Sequence, residues 1–398
     1  MRRKVVVIGQ GYVGLPMSIA AARANNDVIG LDVNKKLINN LNLGISIVEG
    51  TESSEIKKLI STKNYRASYD FSDIRLAEVI IVCVPTPLNQ SNYPDLEFII
   101  SATKSVGQNL SKGALVIIES TVAPGTTRGL IVPLLEKESG FVRGDFLVAY
   151  SPERIDPQNK KWDVSNTPKL LAGLNKESFD KALDFYSEFI QVVTGCDLIE
   201  VAETAKLLEN SFRLINISFI NEFSIFCHKL GIDTTEVIQA ASTKPFGFMP
   251  FYPSIGVGGH CIPVDPIYLS DKARQLGAPT RMIDLADQIN KEMPSYFVSQ
   301  AEEKIGGLKG RKILILGVAY KPNVADIRNT PVESLINELK QKGAQVSWHD
   351  ELVGKWNGGS SVAISSDFDL VILATPHDYF DLTKLGNVPI LNTLGSLS

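Results

Sequence analysis

An α/β chain with two doubly wound parallel sheets, joined by a central helical region, is the fold this sequence predicts. Three observations carry it. Strand-length apolar runs alternate with helical patterns through the first half, as parallel βαβ units require. From Glu200 the alternation stops, and thirty residues pass without glycine or proline. At Lys312 the strand pattern returns.

The first half opens with a buried strand at Lys4–Ile8, a glycine-rich turn, a helix at Pro16–Ala24 and a strand at Val28–Asp32. Further strands are expected at Val79–Val84, Ala114–Ile118 and Phe146–Tyr150, with another near Leu170–Gly173. The stretch Glu200–Lys229 reads as one helix about 45 Å long at 1.5 Å per residue. Its apolar residues, among them Leu207, Leu208, Phe212, Phe219, Phe223 and Phe226, cover almost the whole circumference. Such a helix is expected to be buried, in a core or at a subunit contact, and a two-fold homodimer through it would cover its remaining face. Asp233–Ala241 and Thr280–Gly306 read as further helices. The second αβ unit is expected to run through Lys312–Leu316, a helix near Pro331–Lys342, and strands at Gln345–His349, Asp369–Leu373 and Pro389–Leu391. The two αβ ends resemble each other only weakly, short of a repeat.

The length of 398 residues suits two or three domains. Apolar residues at 44% and charged residues at 21% place the chain among globular proteins. A net charge of −4 and the absence of a basic run argue against a nucleic-acid partner. The apolar runs are far shorter than the ~18–20 residues a bilayer crossing needs. The Met1-Arg2-Arg3-Lys4 start is followed by too short an apolar run for a secretory signal. Cys83, Cys196, Cys227 and Cys261 form neither a disulfide framework nor a metal-ligand spacing, so a cytoplasmic location and no metal are expected.

Two segments carry chemistry. Gly9-Gln10-Gly11-Tyr12-Val13-Gly14 follows a strand and opens a helix, and Asp32 ends the next strand eighteen residues after Gly14. Glycines there permit a tight turn, backbone approach to a pyrophosphate, and close helix–sheet packing. The helix N-terminus offers N–H groups and partial positive charge to the diphosphate. A carboxylate at Asp32 can accept from the adenosine ribose diol and repels a 2′-phosphate, which favours NAD over NADP. A tight turn without ligand is the alternative. Thr86, in Val84-Pro85-Thr86-Pro87, and Thr121, after Glu119-Ser120, stand at strand ends where ligands sit in open α/β sheets; each is equally a turn or cap hydroxyl.

In Ser254–Asp265, three glycines crowd the approach to Cys261, and a carboxylate follows four residues later. A helix starting at Pro263 would lower the thiol pKa and help hold an oxyanion. A buried cysteine in a glycine-rich turn is the other reading. Lys206 and Asn210 share a face of the long helix among apolar neighbours, where both need partners unless the stripe is solvated. Asn221 lies on the same stripe, and His228, His349 and His377 read as structural. A nicotinamide site with an activated cysteine suits aldehyde oxidation: thiohemiacetal, hydride loss to a thioester, then hydrolysis.

These segments together resemble the UDP-glucose/GDP-mannose dehydrogenase family over essentially the whole chain. The resemblance rests on Gly9–Pro16, Val84–Pro87, Ser120–Val122, Pro152–Ile155, Glu203–Asn210, Gly258–Pro266 and Tyr320–Arg328. It implies a Rossmann domain over 1–196, a helical domain over 197–296, and a Rossmann-like nucleotide-sugar domain over 297–398. It also implies two NAD-dependent hydride transfers that turn a sugar C6 alcohol into a carboxylate. Carried over by position, Cys261 would be the nucleophile, flanked by Lys206 and Asp265. Glu153 would be the base in thioester hydrolysis, Asn210 would polarise the C6 oxygen, and Thr121 would orient water and cofactor. Gly9, Gly11, Tyr12, Val13, Gly14, Asp32, Thr86 and Arg328 would hold NAD. Arg154, Lys244, Tyr252, Gly258 and Lys321 would join Glu153, Lys206 and Asn210 around the UDP-sugar.

Arg154 and the His260-Cys261-Ile262-Pro263 core resemble the N-acetylhexosamine branch, with UDP-N-acetyl-D-glucosamine the expected substrate. UDP-N-acetyl-D-mannosamine, UDP-glucose, a single-step β-hydroxyacid-type oxidation and a non-catalytic nucleotide-sugar sensor are the alternatives. Leu37, Gln158, Ser254-Ile255 and Asn392 depart from the family's usual residues.

Overall fold

The structure, a computed structural model, describes residues 2–48, 50–155, 159 and 161–395. Gln158 lies outside the described residues. The chain forms two compact units, Met1–Leu208 and Glu209–Ser398.

The first unit is built on an eight-stranded sheet of order β3-β2-β1-β4-β5-β6-β7-β8. The strands are β1 (Lys4–Ile8), β2 (Asp27–Leu31), β3 (Tyr65–Ser68), β4 (Val79–Val82), β5 (Leu115–Ile118), β6 (Leu147–Tyr150), β7 (Lys169–Gly173) and β8 (Val193–Gly195). All pairings are parallel except β6 with β7. Side chains alternate between faces along a strand, yet both faces here are apolar. Val5 and Val7 belong to one buried cluster, Val6 and Ile8 to another. Helices on both sides of the sheet require this, and continuous Val/Ile runs result. The strand order around β1 and β4 reverses direction, which creates the crevice where open α/β sheets take ligands.

A helix of thirty-two residues, Ile199–Leu230, follows. Of the two settings expected for it, a core or a subunit contact, burial in a core on every side does not hold within the single chain. Leu214, Ile220 and Cys227 are buried, but Phe212, Phe219, Phe226 and Leu230 are 48%, 61%, 57% and 60% exposed. Spacings of seven, seven and four put those four on one stripe. Among the described residues no helix is long and apolar enough to cross a membrane.

The second unit holds helices Thr234–Ser242, Asp265–Gln275 and Arg281–Ile305, then a parallel sheet of order β10-β9-β13-β14. Its strands are β9 (Lys312–Leu316), β10 (Gln345–His349), β13 (Leu370–Leu373) and β14 (Ile390–Asn392), with a small hairpin of β11 (Lys355–Trp356) and β12 (Gly359–Ser360) between them. Ile313 and Ile315 pack with Met293, Phe297 and Leu335; Leu314 and Leu316 form a second cluster with Leu385. Neither the edge strands β3 and β8 nor the hairpin stands out in the sequence.

Candidate active site

In the first unit the glycine turn leaves β1 at Gly9, which has φ +91°. A Cβ there would lie 2.6 Å from the Cys83 carbonyl oxygen, and one at Gly14 would lie 1.7 Å from the Gly9 carbonyl oxygen. Only glycine fits either position. A Cβ at Gly11 would meet nothing within 4 Å. Turn, open approach and helix packing are thus divided among the three glycines as a diphosphate cradle needs. The helix Gly14–Arg23 carries no side-chain cap, so its N-terminal N–H groups are not taken by a neighbouring side chain. Asp32 is half-buried; it accepts from the Gln10 N–H and the Asn34 N–H, each at 2.8 Å. That fixes the carboxylate at the mouth of the turn. The Gln10 amide is buried beneath, accepting from the Ser18 and Tyr65 hydroxyls and donating to the Val7 carbonyl. These residues fit NAD: a cradle for the diphosphate and an oriented acid for a ribose diol.

Leu37, where a basic residue is usual, is instead buried in the core, and its N–H is capped by Asn34. Thr86 is buried and Thr121 half-buried. The Ser120 hydroxyl donates to the Val84 carbonyl at 2.7 Å, tying together the two strand-end loops that carry them. Glu153 and Lys206 are buried, while Arg154 is half-buried and donates to the Pro168 carbonyl at 2.8 Å.

Two arrangements here were not foreseen. Glu203, three residues before Lys206, is buried and accepts from the backbone N–H groups of Gly125 (2.6 Å) and Thr127 (2.9 Å). It fastens the start of the long helix to the loop after Thr121. Burial raises its carboxyl to about 7, against the pull of those N–H donors. Behind Ser120, Glu119 is buried with Lys169 at 3.1 Å and accepts from the Tyr186 hydroxyl. Burial foremost, then Glu119, pushes the neighbouring Cys83 thiol well above its ordinary range.

In the second unit the helix after the cysteine begins at Asp265, two residues later than Pro263. Cys261–Val264 is a turn whose first carbonyl accepts from Val264 N (3.1 Å) and Asp265 N (2.8 Å). Pro266, not Pro263, occupies the helix's first turn, where its missing N–H costs nothing. The Cys261 carbonyl therefore satisfies helix N–H groups that were expected to face the thiol. Asp265 is buried and accepts from the Asn210 side-chain amide at 2.6 Å. Lys206 stands one turn before Asn210 on the same face of the long helix.

The approach to Cys261 is fixed from several sides. Asn221 is fully buried; it accepts from Ser254 N at 2.8 Å and donates to Asn290 at 3.0 Å, so its role is to hold this segment. Ser254-Ile255 in place of the usual pair has a local use: the Ser254 hydroxyl bonds within the turn to Gly256, and Ile255 enters the core. A Cβ at Gly258 would lie 2.8 Å from the Tyr320 Cβ, and one at Gly259 as close to the Tyr320 ring. Gly259 N donates to the Arg328 carbonyl at 2.9 Å, and the Asn329 amide donates to the Gly259 carbonyl at 3.0 Å. The loop bearing Lys321 and Arg328 thus packs directly on the cysteine loop. Arg328 pairs with Asp326. Burial, and then the Arg328 charge, hold the His260 pKa below its ordinary value, so this imidazole is neutral at pH 7. Lys244 lies over the Phe246 ring at 5.0 Å in an exposed segment that also carries Phe248 and Met249, and Tyr252 is exposed as well. His349 and His377 are structural, each hydrogen-bonded within the second sheet's loops. The Asn392 side chain accepts from Leu394 N.

Three family descriptions match in order along the chain. These are the NAD binding domain of the UDP-glucose/GDP-mannose dehydrogenase family over residues 3–190, its central domain over 200–292 and its UDP binding domain over 314–390. A UDP-N-acetyl-D-glucosamine 6-dehydrogenase of Pseudomonas aeruginosa is 37% identical, over 96% of this chain and 94% of that protein. Among solved structures, a UDP-D-ManNAc dehydrogenase from Pyrococcus horikoshii superimposes with a TM-score of 0.90 at 31% identity, covering 98% and 95% of the two chains. A UDP-glucose dehydrogenase from Pyrobaculum islandicum also reaches 0.90, at 25% identity and 99% and 94% coverage.

Proposed function

Because this chain belongs to the UDP-glucose/GDP-mannose dehydrogenase family and is an NAD-dependent oxidoreductase acting at C6 of a UDP-sugar, we propose that its substrate is UDP-N-acetyl-D-glucosamine, oxidised to the uronate. The observation that supports the covalent route best is the cysteine turn. Cys261 sits in a glycine-walled loop, its carbonyl tied to Asp265 N, and the Asp265 carboxylate is held by Asn210.

NAD, when bound, accepts a hydride from C6 in each of two oxidations. The Gly9, Gly11 and Gly14 turn, with Tyr12 and Val13, would hold its diphosphate, and Asp32 its ribose diol, with Thr86 and Thr121 on the neighbouring strand-end loops; the family resemblance adds Arg328 to the cofactor contacts. The first oxidation removes a proton and a hydride from the C6 alcohol. Cys261 Sγ then bonds to the aldehyde carbon, and the oxygen becomes the hydroxyl of a thiohemiacetal. Asn210 and Lys206 stabilise that oxygen as it gains charge, because fixed donors in a buried place need no reorganisation. Loss of the second hydride and the hydroxyl proton gives a thioester. Glu153 takes a proton from water as it attacks, the C–S bond breaks, and the thiol returns as the acid leaves. Asp265 holds Asn210 and exchanges protons with this water. Arg154, Lys244, Tyr252, Gly258 and Lys321 bind the nucleotide-sugar.

The three-domain division at 196 and 296 belongs to this reading, as does a cytoplasmic location. A homodimer through the central helix is supported by the exposed Phe212–Phe219–Phe226–Leu230 stripe, which is too apolar for open solvent.

The resemblance of Arg154 and the His260–Pro263 core to the N-acetylhexosamine branch favours an N-acetylated sugar, and the 37% identical relative is named for UDP-N-acetyl-D-glucosamine. A turnover comparison of UDP-N-acetylglucosamine, its mannosamine and galactosamine counterparts, and UDP-glucose tests the choice. The acetylglucosamine compound should lead in kcat/KM by about 10- to 200-fold, the reach of one misplaced group in a pocket. A lead for the mannosamine epimer would move the assignment to that sugar. A lead for UDP-glucose would reject the N-acetyl reading.

A further inference from the structure

The second αβ unit repeats the opening crossover of the first at hydrogen-bond detail. Gly9 N donates to the Leu31 carbonyl (2.8 Å), and Gly317 N to the His349 carbonyl (2.9 Å). Cys83 N donates to the Ile8 carbonyl, and Ala374 N to the Leu316 carbonyl. The residue after each glycine, Gln10 or Val318, donates its N–H to an aspartate just past the second strand, Asp32 or Asp350. Asp350 is therefore the counterpart of the ribose-binding acid.

Its surroundings differ. The Asp350 side chain is fully buried, with six donors around it. Val318 N, Ala319 N and His377 Nε2 reach Oδ2; Leu352 N, Val353 N and the Tyr379 hydroxyl reach Oδ1. A carboxylate offers about four lone-pair sites, so none is left for a sugar diol. Burial would raise this carboxyl, but the His377 hydrogen bond and the backbone N–H donors overcome it and hold it down to about 2. The carboxylate instead ties together the segments that follow β9, β10 and β13, the end of a parallel sheet where ligands bind.

His377 carries this anchorage onward. Its Nε2 donates to Asp350 at 3.1 Å, so its Nδ1 is an acceptor, and it takes the Asn323 N–H at 2.8 Å. Asn323 has a left-handed backbone, φ +62°. Its side chain exchanges two hydrogen bonds with Asp378: Asn323 Nδ2 to Asp378 Oδ2 at 2.8 Å and Asp378 N to Asn323 Oδ1 at 3.0 Å. The clamped residue stands two positions after Lys321.

We propose that His377 is a positioning residue for nucleotide binding: held by Asp350, its Nδ1 fixes Asn323 and so sets the conformation of the Lys321 loop that receives the UDP moiety. This rests on the reading of the second unit as the UDP-binding part. Two substitutions separate the two ring nitrogens. His377→Gln keeps a donor where Nε2 stood and loses the acceptor; His377→Asn keeps an acceptor where Nδ1 stood and loses the donor.

The test is calorimetric titration of the full chain with UDP, and separately with NAD. H377Q should bind UDP about 5- to 10-fold more weakly, the worth of one good hydrogen bond, while H377N stays within about twofold of the parent. NAD affinity should be unchanged in both. If H377Q does not fold, Asp378→Ala on the exposed side of the clamp takes its place and should weaken UDP about threefold. Parental UDP affinity in the acceptor-less variant, or equal losses in H377Q and H377N, would overturn the proposal. Failure of the parent itself to bind UDP would overturn the underlying reading of the unit.

Discussion

Cys261→Ala should bind NAD like the parent and lose uronate formation by about four orders of magnitude or more, the usual cost of deleting a covalent nucleophile. The two parts of that expectation have separate structural grounds. The cradle of Gly9, Gly11, Gly14 and Asp32 belongs to the first compact unit, whereas Cys261 belongs to the second. The Cys261 side chain, by contrast, is the only atom set on its turn that can bond to a carbon. Its backbone is already committed: the carbonyl caps the helix starting at Asp265. Alanine preserves that carbonyl and the turn, so the variant should fold. NAD affinity measured by titration and uronate measured by chromatography together check it. Uronate production near the parental rate would remove the covalent step and favour an oxidation that needs no cysteine.

Lys169→Met should destabilise the chain by about 3–5 kcal/mol. Lys169 and Glu119 lie 3.1 Å apart with side chains 8% and 0% exposed. Removing the ammonium leaves a buried carboxylate whose remaining partner among the described residues is the Tyr186 hydroxyl, and Glu119 Oε2 accepts no hydrogen bond from any of them. Such an uncompensated charge costs far more than the pair contributes when intact, because desolvation is no longer offset. Glu119 also directly precedes Ser120 and Thr121, so the same variant should disturb the loop that carries them. The second substitution Glu119→Gln, added to Lys169→Met, should recover most of the loss. Urea midpoints of the single and double variants decide it. A midpoint for Lys169→Met close to that of the parent would mean that the buried carboxylate is neutralised some other way.

How much of this was legible in the sequence follows from how each element is stabilised. β1 and β9 begin and end close to where their apolar runs do, because a strand covered on both faces needs such a run. β3 (Tyr65–Ser68) and β8 (Val193–Gly195) exist through pairing with a neighbour at or near the sheet's edge, and their own residues carry little pattern. The glycine turn was readable because each glycine answers a distinct steric demand. The helix start near the cysteine was misplaced because two prolines compete for one first turn, and Pro266 wins it. Pairings between residues far apart in sequence left no trace: Glu119 with Lys169, Glu203 with the Gly125–Thr127 backbone, His377 with Asn323. Asp350 did have a signal, an acid just past a second parallel strand as Asp32 is. Its saturation by six donors becomes visible only in three dimensions.

On the proposed mechanism one sugar carbon is oxidised twice before release. The most direct measurement is the number of NADH molecules formed per UDP-sugar consumed, from absorbance against substrate depletion. Two NADH per sugar, with a carboxylate as the sole sugar product, is the expected result. One NADH per sugar, with an aldehyde or ketone accumulating, would contradict it.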